Sequence, residues 1–268
     1  MAISALHSAS SGLSALSQNL DIIANNLANT NTVGFKTSRG NFEDLLYQEK
    51  AQPGVLNASG DQTPAGLFVG LGVKLSSTQL NFEQGSPVKV ESGTNMMISG
   101  PGFFQVRTLD SVGEGVGYTR AGNFTTNKDG ELVLGNGQGN RLEPVVVIPN
   151  GATDIAIGPT GSVSYKVDGV QIADAAQVEI FNFSNPGGLI SKGGNVYTTS
   201  LASGDAIQGV PGENGLGTIL GGYQEASNAD PVKELVELIK TQRAFEMNSQ
   251  SIKAADEALS VISNLTRF

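Results

Sequence analysis

The chain of 268 residues sets 25 acidic against 16 basic side chains, a formal charge of −9, and contains no cysteine, which excludes disulfides, thiolate metal sites and cysteine nucleophiles. The acidic balance and the scatter of the basic residues disfavour nucleic acid or an anionic membrane surface as partner, since either needs a concentrated basic patch. No run of about 18 apolar residues occurs, so no membrane insertion is expected, and the broken apolar pattern before Lys36, the first basic residue, reads as mature structure rather than a cleaved secretion signal.

In chain order, Leu6, Ala9, Leu13, Leu16, Leu20, Ile23 and Leu27 recur at spacings of three and four and predict a long helix with one apolar seam. Its other faces carry serines and Asn25, Asn26, Asn29 and Asn31 where a solvent-facing helix normally carries charge. These residues are poor helix formers in isolation, so packing must supply most of the stability. An unassembled chain is therefore expected to have a folded β core and mobile ends. Inside an assembly, short uncharged amides can be surrounded without burying charge, and a slipped partner leaves them unpaired. Asn25, Asn26 and Asn29 are thus candidates for fixing the stagger between copies. Thr32-Val33-Gly34 is expected to stop the helix, with Gly34 left-handed and Phe35 packing back on the helix end.

Residues 38–90 lose the helical period and are rich in glycine and proline, which predicts an extended connector with a hairpin. From Phe103 to Val167, short runs of β-branched and aromatic residues alternate with turn residues. Lys128-Asp129-Gly130-Glu131 and Asp168-Gly169 read as hairpin turns. At the far end, Asp230-Pro231 marks a helix start, and Leu238, Phe245, Ile252 and Leu259 lie seven apart, with Ala255 and Ile262 three residues after two of them. This second seam is the natural partner of the first.

The expected fold class is α+β: paired N- and C-terminal helices forming a coiled-coil-like core element, with an inserted Gly-rich antiparallel β domain. The corresponding segments are 1–35 and 226–268 for the helical part, 36–90 and 205–225 for the connector, and 91–204 for the β domain. No catalytic, cofactor or metal site is predicted. His7 has no partners at ligand spacing. The glycine-rich stretches 113–117 and 135–139 do not open helices, and Asn127, Asp129 and Gly130 lack the remaining positions of a calcium loop. Asp110, Glu114 and Asp129 cannot be paired as catalytic carboxylates. The candidate functional residues are instead those of assembly: Leu13, Leu16, Leu20, Ile23, Asn25, Asn26, Leu27, Asn29, Gly34 and Phe35, with Leu238, Phe245, Ile252, Leu259 and Ile262. A binding or adhesive β domain on a helical stalk is the alternative from a different class.

"SGLSALSQNLDIIANNLANTNTVGFK" resembles the N-terminal motif of the flagellar axial proteins, the rod, hook and hook-associated subunits, and "LVELIKTQRAFEMNSQSIKAADEALSVISNL" resembles their C-terminal motif. "NFEDLLYQEKAQPG", "ISGPGFFQV", "YTRAGNFTTNKDGELV" and "GGYQEASNADPVKELVELI" are similar to the rod branch of that family, and the connector to its distal section, with proximal rod and short hook subunits as the alternatives. The resemblance implies a structural subunit without enzymatic activity. Such a subunit is exported through the flagellar export apparatus without a cleaved signal and polymerises with itself into a helical drive shaft in the periplasm. Implied partners are proximal rod proteins, the hook protein and, in a Gram-negative envelope, the P and L ring bushing. The terminal helices would line the export channel, the β domain would form the outer layer, and the connector from about 46 to 70 would stiffen contacts between copies.

Overall fold

The serine- and asparagine-rich start forms one continuous helix, α1 (Ala2–Ala28), in a computed structural model that describes residues 2–54, 64–109 and 115–265, with the side chains at 2–4, 174 and 262–265 outside the description. Strands β1 (Ser38–Asp44), β2 (Tyr47–Ala51), β3 (Leu67–Gly70) and β4 (Val73–Leu80) follow, and the chain closes with α2 (Pro231–Leu265). The fold is α+β, with terminal helices flanking a large β domain in the chain. Two compact units result. The first takes residues up to Ala28, Ser38–Gln79 and everything from Asp230; the second takes Asn29–Thr37 and Leu80–Ala229.

In the first unit α1 and α2 pack along one another. Pro231 opens α2 because its missing N–H is not needed there. Asp230 caps it, its carboxylate accepting from the Val232 amide at 2.9 Å and the Lys233 amide at 3.4 Å. β1 pairs with β4, and β2 with β3 as an antiparallel ribbon, so the connector holds two ladders rather than one hairpin.

The described residues of the second unit form strands and turns, with a short 3-10 segment at Pro186–Gly188 and no α-helix. Its central sheet has five strands, ordered Leu142–Glu143, Phe104–Arg107, Val116–Thr119, Val196–Thr198 and Ile190–Gly193. A three-stranded meander, Thr153–Ile157, Ser162–Val167 and Val170–Gln177, turns at Asp168-Gly169 as expected, with φ of +51° and +81° as a primed two-residue turn requires. The turn at 127–131 also joins a hairpin, Asn127 accepting from the amides of Asp129 and Glu131. The core gathers Phe104, Val106, Phe124, Leu132, Leu142, Val163 and Ile180. Beside it, Phe103, Tyr118, Phe181, Phe183 and Tyr197 form a second cluster of rings meeting edge to face.

Candidate assembly surfaces

Several polar side chains of α1 bond to other parts of their own chain. Gly12 faces Asn248, where an added Cβ would lie 2.8 Å from the amide nitrogen. Asn19 donates to the Thr241 hydroxyl at 3.4 Å, and Asn26 to the Glu234 carboxylate at 3.3 Å. The three pairs advance by seven residues in opposite directions along the two helices, so the pairing is antiparallel and keeps a heptad register. Asn26, 3 % exposed, also donates to the Ser38 carbonyl and accepts its amide. Nearer the start, His7 meets the Leu71 carbonyl, Ser8 donates to the Gly70 carbonyl and Ser11 accepts the Val73 amide. Serine and asparagine thus fasten α1 to α2 and to the connector.

The apolar residues expected to form the seam sit around this ladder. Ile23 is buried, while Leu13, Leu16, Leu20 and Leu27 are half-buried. Leu13, Leu20 and Leu27 each follow a ladder residue by one position, about 100° round the helix. On α2, Leu238, Phe245, Ile252 and Leu259 are half-buried on one stripe with Glu234, Thr241 and Asn248; the side chain of Ile262 lies outside the described residues. Asn25 is exposed, and Asn29 is half-buried in the turn after the helix.

Opposite that stripe α2 carries a second apolar face. Val232, Leu235, Val236 and Ile239 follow the i, i+3, i+4, i+7 pattern; beyond them the same arc carries Arg243, Glu246 and Glu257 together with Met247 and Val261. The six apolar side chains are exposed, Val232 at 69 % and Met247 at 63 %. The ribbon of β2 and β3 likewise exposes Tyr47, Leu67 and Phe68, with Leu46 just before it. Clustered apolar exposure of this kind marks candidate interaction surfaces.

The end of the N-terminal motif belongs to the β unit. α1 stops at Ala28, and a turn follows in which the Thr32 hydroxyl donates to the Asn29 side chain. Gly34 is left-handed at φ +70° and donates to the Glu225 carbonyl at 2.8 Å, while Phe35 is half-buried. Beside it lies an ion cluster that sequence reasoning missed. The Lys36 amine lies 2.6 Å from one oxygen of Glu225, and the Arg120 Nε lies 3.1 Å from the other, with the three side chains 0–4 % exposed. Burial pushes the Lys36 amine and the Arg120 guanidinium below their ordinary values, against the upward pull of Glu225. The available signal was three lone charges in otherwise uncharged stretches, "TVGFK", "YTRAGNF" and "GGYQEASN". Asp110 and Glu114 lie outside the described residues, and among those described no helix is long and apolar enough to cross a membrane.

Three family models match the chain: the flagella basal body rod protein model over residues 6–36, the flagellar hook protein FlgE/F/G D1 domain over 97–165, and the flagellar basal body rod FlgEFG protein C-terminal model over 220–265. The chain is 44 % identical to the flagellar basal-body rod protein FlgG of Caulobacter vibrioides, over 97 % of this chain and 98 % of that one. It is 36 % identical to the FlgG of Bacillus subtilis over 98 % of each. The FlgF rod protein of Caulobacter vibrioides is 35 % identical over a shorter span, 86 % of this chain and 84 % of the relative. With its helical ends, its β unit and nearly its whole length matched, the chain belongs to the family of flagellar basal-body rod proteins, with FlgG.

Proposed function

We infer that the chain is a structural subunit of the distal flagellar rod, polymerising with copies of itself into the helical shaft that carries torque from motor to hook around the export channel. The observation that carries this reading is the two-faced α2. One stripe meets α1 of the same chain, and at the start of the helix the opposite face, Val232 to Ile239, has large apolar side chains exposed. A helix apolar on two opposite sides needs a second partner. A neighbouring copy supplies it, and a repeated heterologous contact that does not close on itself builds a filament. The terminal helix pair then forms a coiled-coil-like inner layer, the β unit the outer one, and the β2–β3 ribbon adds contacts between copies. Leu13 and Leu20, half-buried beside the ladder, extend the helical surface that neighbours would meet. Asn26 and Asn29 act from within, setting the geometry of that surface.

In this reading the subunit is a mechanical part rather than an enzyme. It leaves the cytoplasm through the flagellar export apparatus without a cleaved signal. Proximal rod proteins lie below it and the hook protein above, and the P and L rings surround it where an outer membrane exists. Full-length coverage with FlgG relatives, against the shorter FlgF match, favours the distal over the proximal rod. Antibody labelling of purified hook–basal bodies by electron microscopy tests this. Label on the distal rod is expected; label confined to the proximal end or to the hook overturns the placement and leaves the assembly argument standing.

A further inference from the structure

The ion cluster of the β unit is unbalanced. Two cations, Lys36 and Arg120, face one anion, Glu225, and all three side chains are almost fully buried. Backbone carbonyls take up the excess positive charge. Lys36 donates to the Glu83 carbonyl at 2.6 Å, and the Arg120 Nη1 to the carbonyls of Gly100 and Gly102 at 2.8 and 2.6 Å. Glu225 has its own further tie, accepting the Gly85 amide at 2.8 Å. It therefore joins segments around residues 34–36, 83–86 and 120, and its backbone carbonyl holds Gly34 as well. The Arg120 guanidinium lies over the Phe103 ring at 5.8 Å, so the cluster adjoins the aromatic packing of the unit.

The three charges also come from very different places in the chain. Glu225 lies 189 residues after Lys36 and 105 after Arg120. Lys36, Arg120 and Glu225 fall one each in the three segments that the family models match. Until Glu225 docks, closing the unit means burying two cations with no buried counter-charge, the Glu83 carboxylate that also acts on Lys36 being exposed, which is among the most unfavourable acts in folding. Joining the most distant segments also carries the largest loop-closure cost.

We propose that Glu225 is the closing charge of the β unit: Lys36 and Arg120 hold the unit open until the segment bearing Glu225 docks, so closure reports that the chain has been delivered as far as the base of α2. In any process that presents the chain from its N-terminus, whether synthesis or passage through a narrow channel, the unit then packs only after nearly all its residues have emerged. An early, partly closed β unit, which would jam a channel or aggregate, is disfavoured by charge rather than by an outside factor.

The charge arithmetic makes the test asymmetric. In the full-length protein, Glu225→Gln strands two cations, Lys36→Met leaves one cation opposite one anion, and the double variant strands one cation. Folding and unfolding rates of the β unit are followed by tyrosine fluorescence and near-ultraviolet dichroism. Glu225→Gln is expected to lower the folding equilibrium constant by about a hundredfold or more, with refolding slowed as well as unfolding quickened, because closure then buries both cations without their counter-charge. Lys36→Met is expected to cost about tenfold or less, and Lys36→Met/Glu225→Gln to be more stable than Glu225→Gln alone. If Glu225→Gln does not fold, the double variant must regain the folded dichroism. Refolding of Glu225→Gln at the parent's rate, equal damage from Lys36→Met, or a double variant no better than Glu225→Gln would each overturn the proposal.

Discussion

At Gly34 the backbone is left-handed and a side chain has no room: a Cβ built there would lie 2.6 Å from both the Cα and the nitrogen of Ala121. The left-handed form costs an L-residue about 1–2 kcal/mol by itself. Backbone atoms cannot yield as a flexible side chain can, so the contact adds to that cost. Gly34→Ala is therefore expected to destabilise the β unit by about 2 kcal/mol or more, read as a lower urea midpoint of its near-ultraviolet signal with α2 helicity retained. A midpoint equal to the parent's would show that the close approach at Ala121 relaxes freely. The sequence made the left-handed glycine legible but not its purpose. A glycine after a periodic run reads as a helix stop, yet α1 ends six residues earlier, at Ala28. The Asn29 and Thr32 side chains bond to each other in the turn between, the local alternative to helix that these residue types offer.

Between helices α1 and α2, polar contacts run beside the leucines of the expected seam, whose Ile23 is buried. Heptad counting on leucines picks Leu13, Leu20 and Leu27, while polar cross-helix contacts run through Gly12, Asn19 and Asn26, one residue earlier. A glycine and two asparagines carry no hydrophobic signal, so a pattern of apolar residues cannot find a contact line built from small and hydrogen-bonded groups. On α2, where Leu238, Phe245, Ile252 and Leu259 carry the stripe, the pattern and the less exposed face agree. The ladder has a titratable rung. Burial pushes the Glu234 carboxyl above its ordinary value near 4.5, against the downward pull of the Asn26 amide. A carboxyl raised in the folded state binds more protons there than in the unfolded chain. Its contribution to stability is therefore fully present below pH about 4.5 and is lost as pH rises through the raised value. Glu234→Gln keeps an acceptor for Asn26 without the charge. Its helical melting temperature is expected to gain on the parent's more at pH 8 than at pH 4, and an equal difference at both would remove Glu234 from the pH response.

Across the whole molecule, the legible features were those that repeat locally. Two terminal helices, hairpins at Asp129-Gly130 and Asp168-Gly169, and a β middle all follow from short-range pattern. The Lys36, Arg120 and Glu225 cluster was not legible, because no local period ties residues separated by 105 and 189 positions. The outer patch of α2 was hidden for a different reason: Val232 to Ile239 span only about two turns before Arg243, Glu246 and Glu257 enter the same arc, and a single-seam search stops at the first face. That second patch makes assembly and folding separable. Val236→Asp with Ile239→Asp places two charges on the outer patch, away from the residues that face α1. Burying an apolar side chain of this size contributes about 1.5–3 kcal/mol, and burying a carboxylate without a partner opposes association further. The double variant is expected to keep the parent's dichroism while self-association in sedimentation falls by about a hundredfold or more. Leu259→Asp, on the stripe shared with Phe245 and Ile252, should lose helicity and association together. If the outer-patch variant polymerises like the parent, the copies meet elsewhere, and the exposed ribbon with Tyr47, Leu67 and Phe68 becomes the surface to change next.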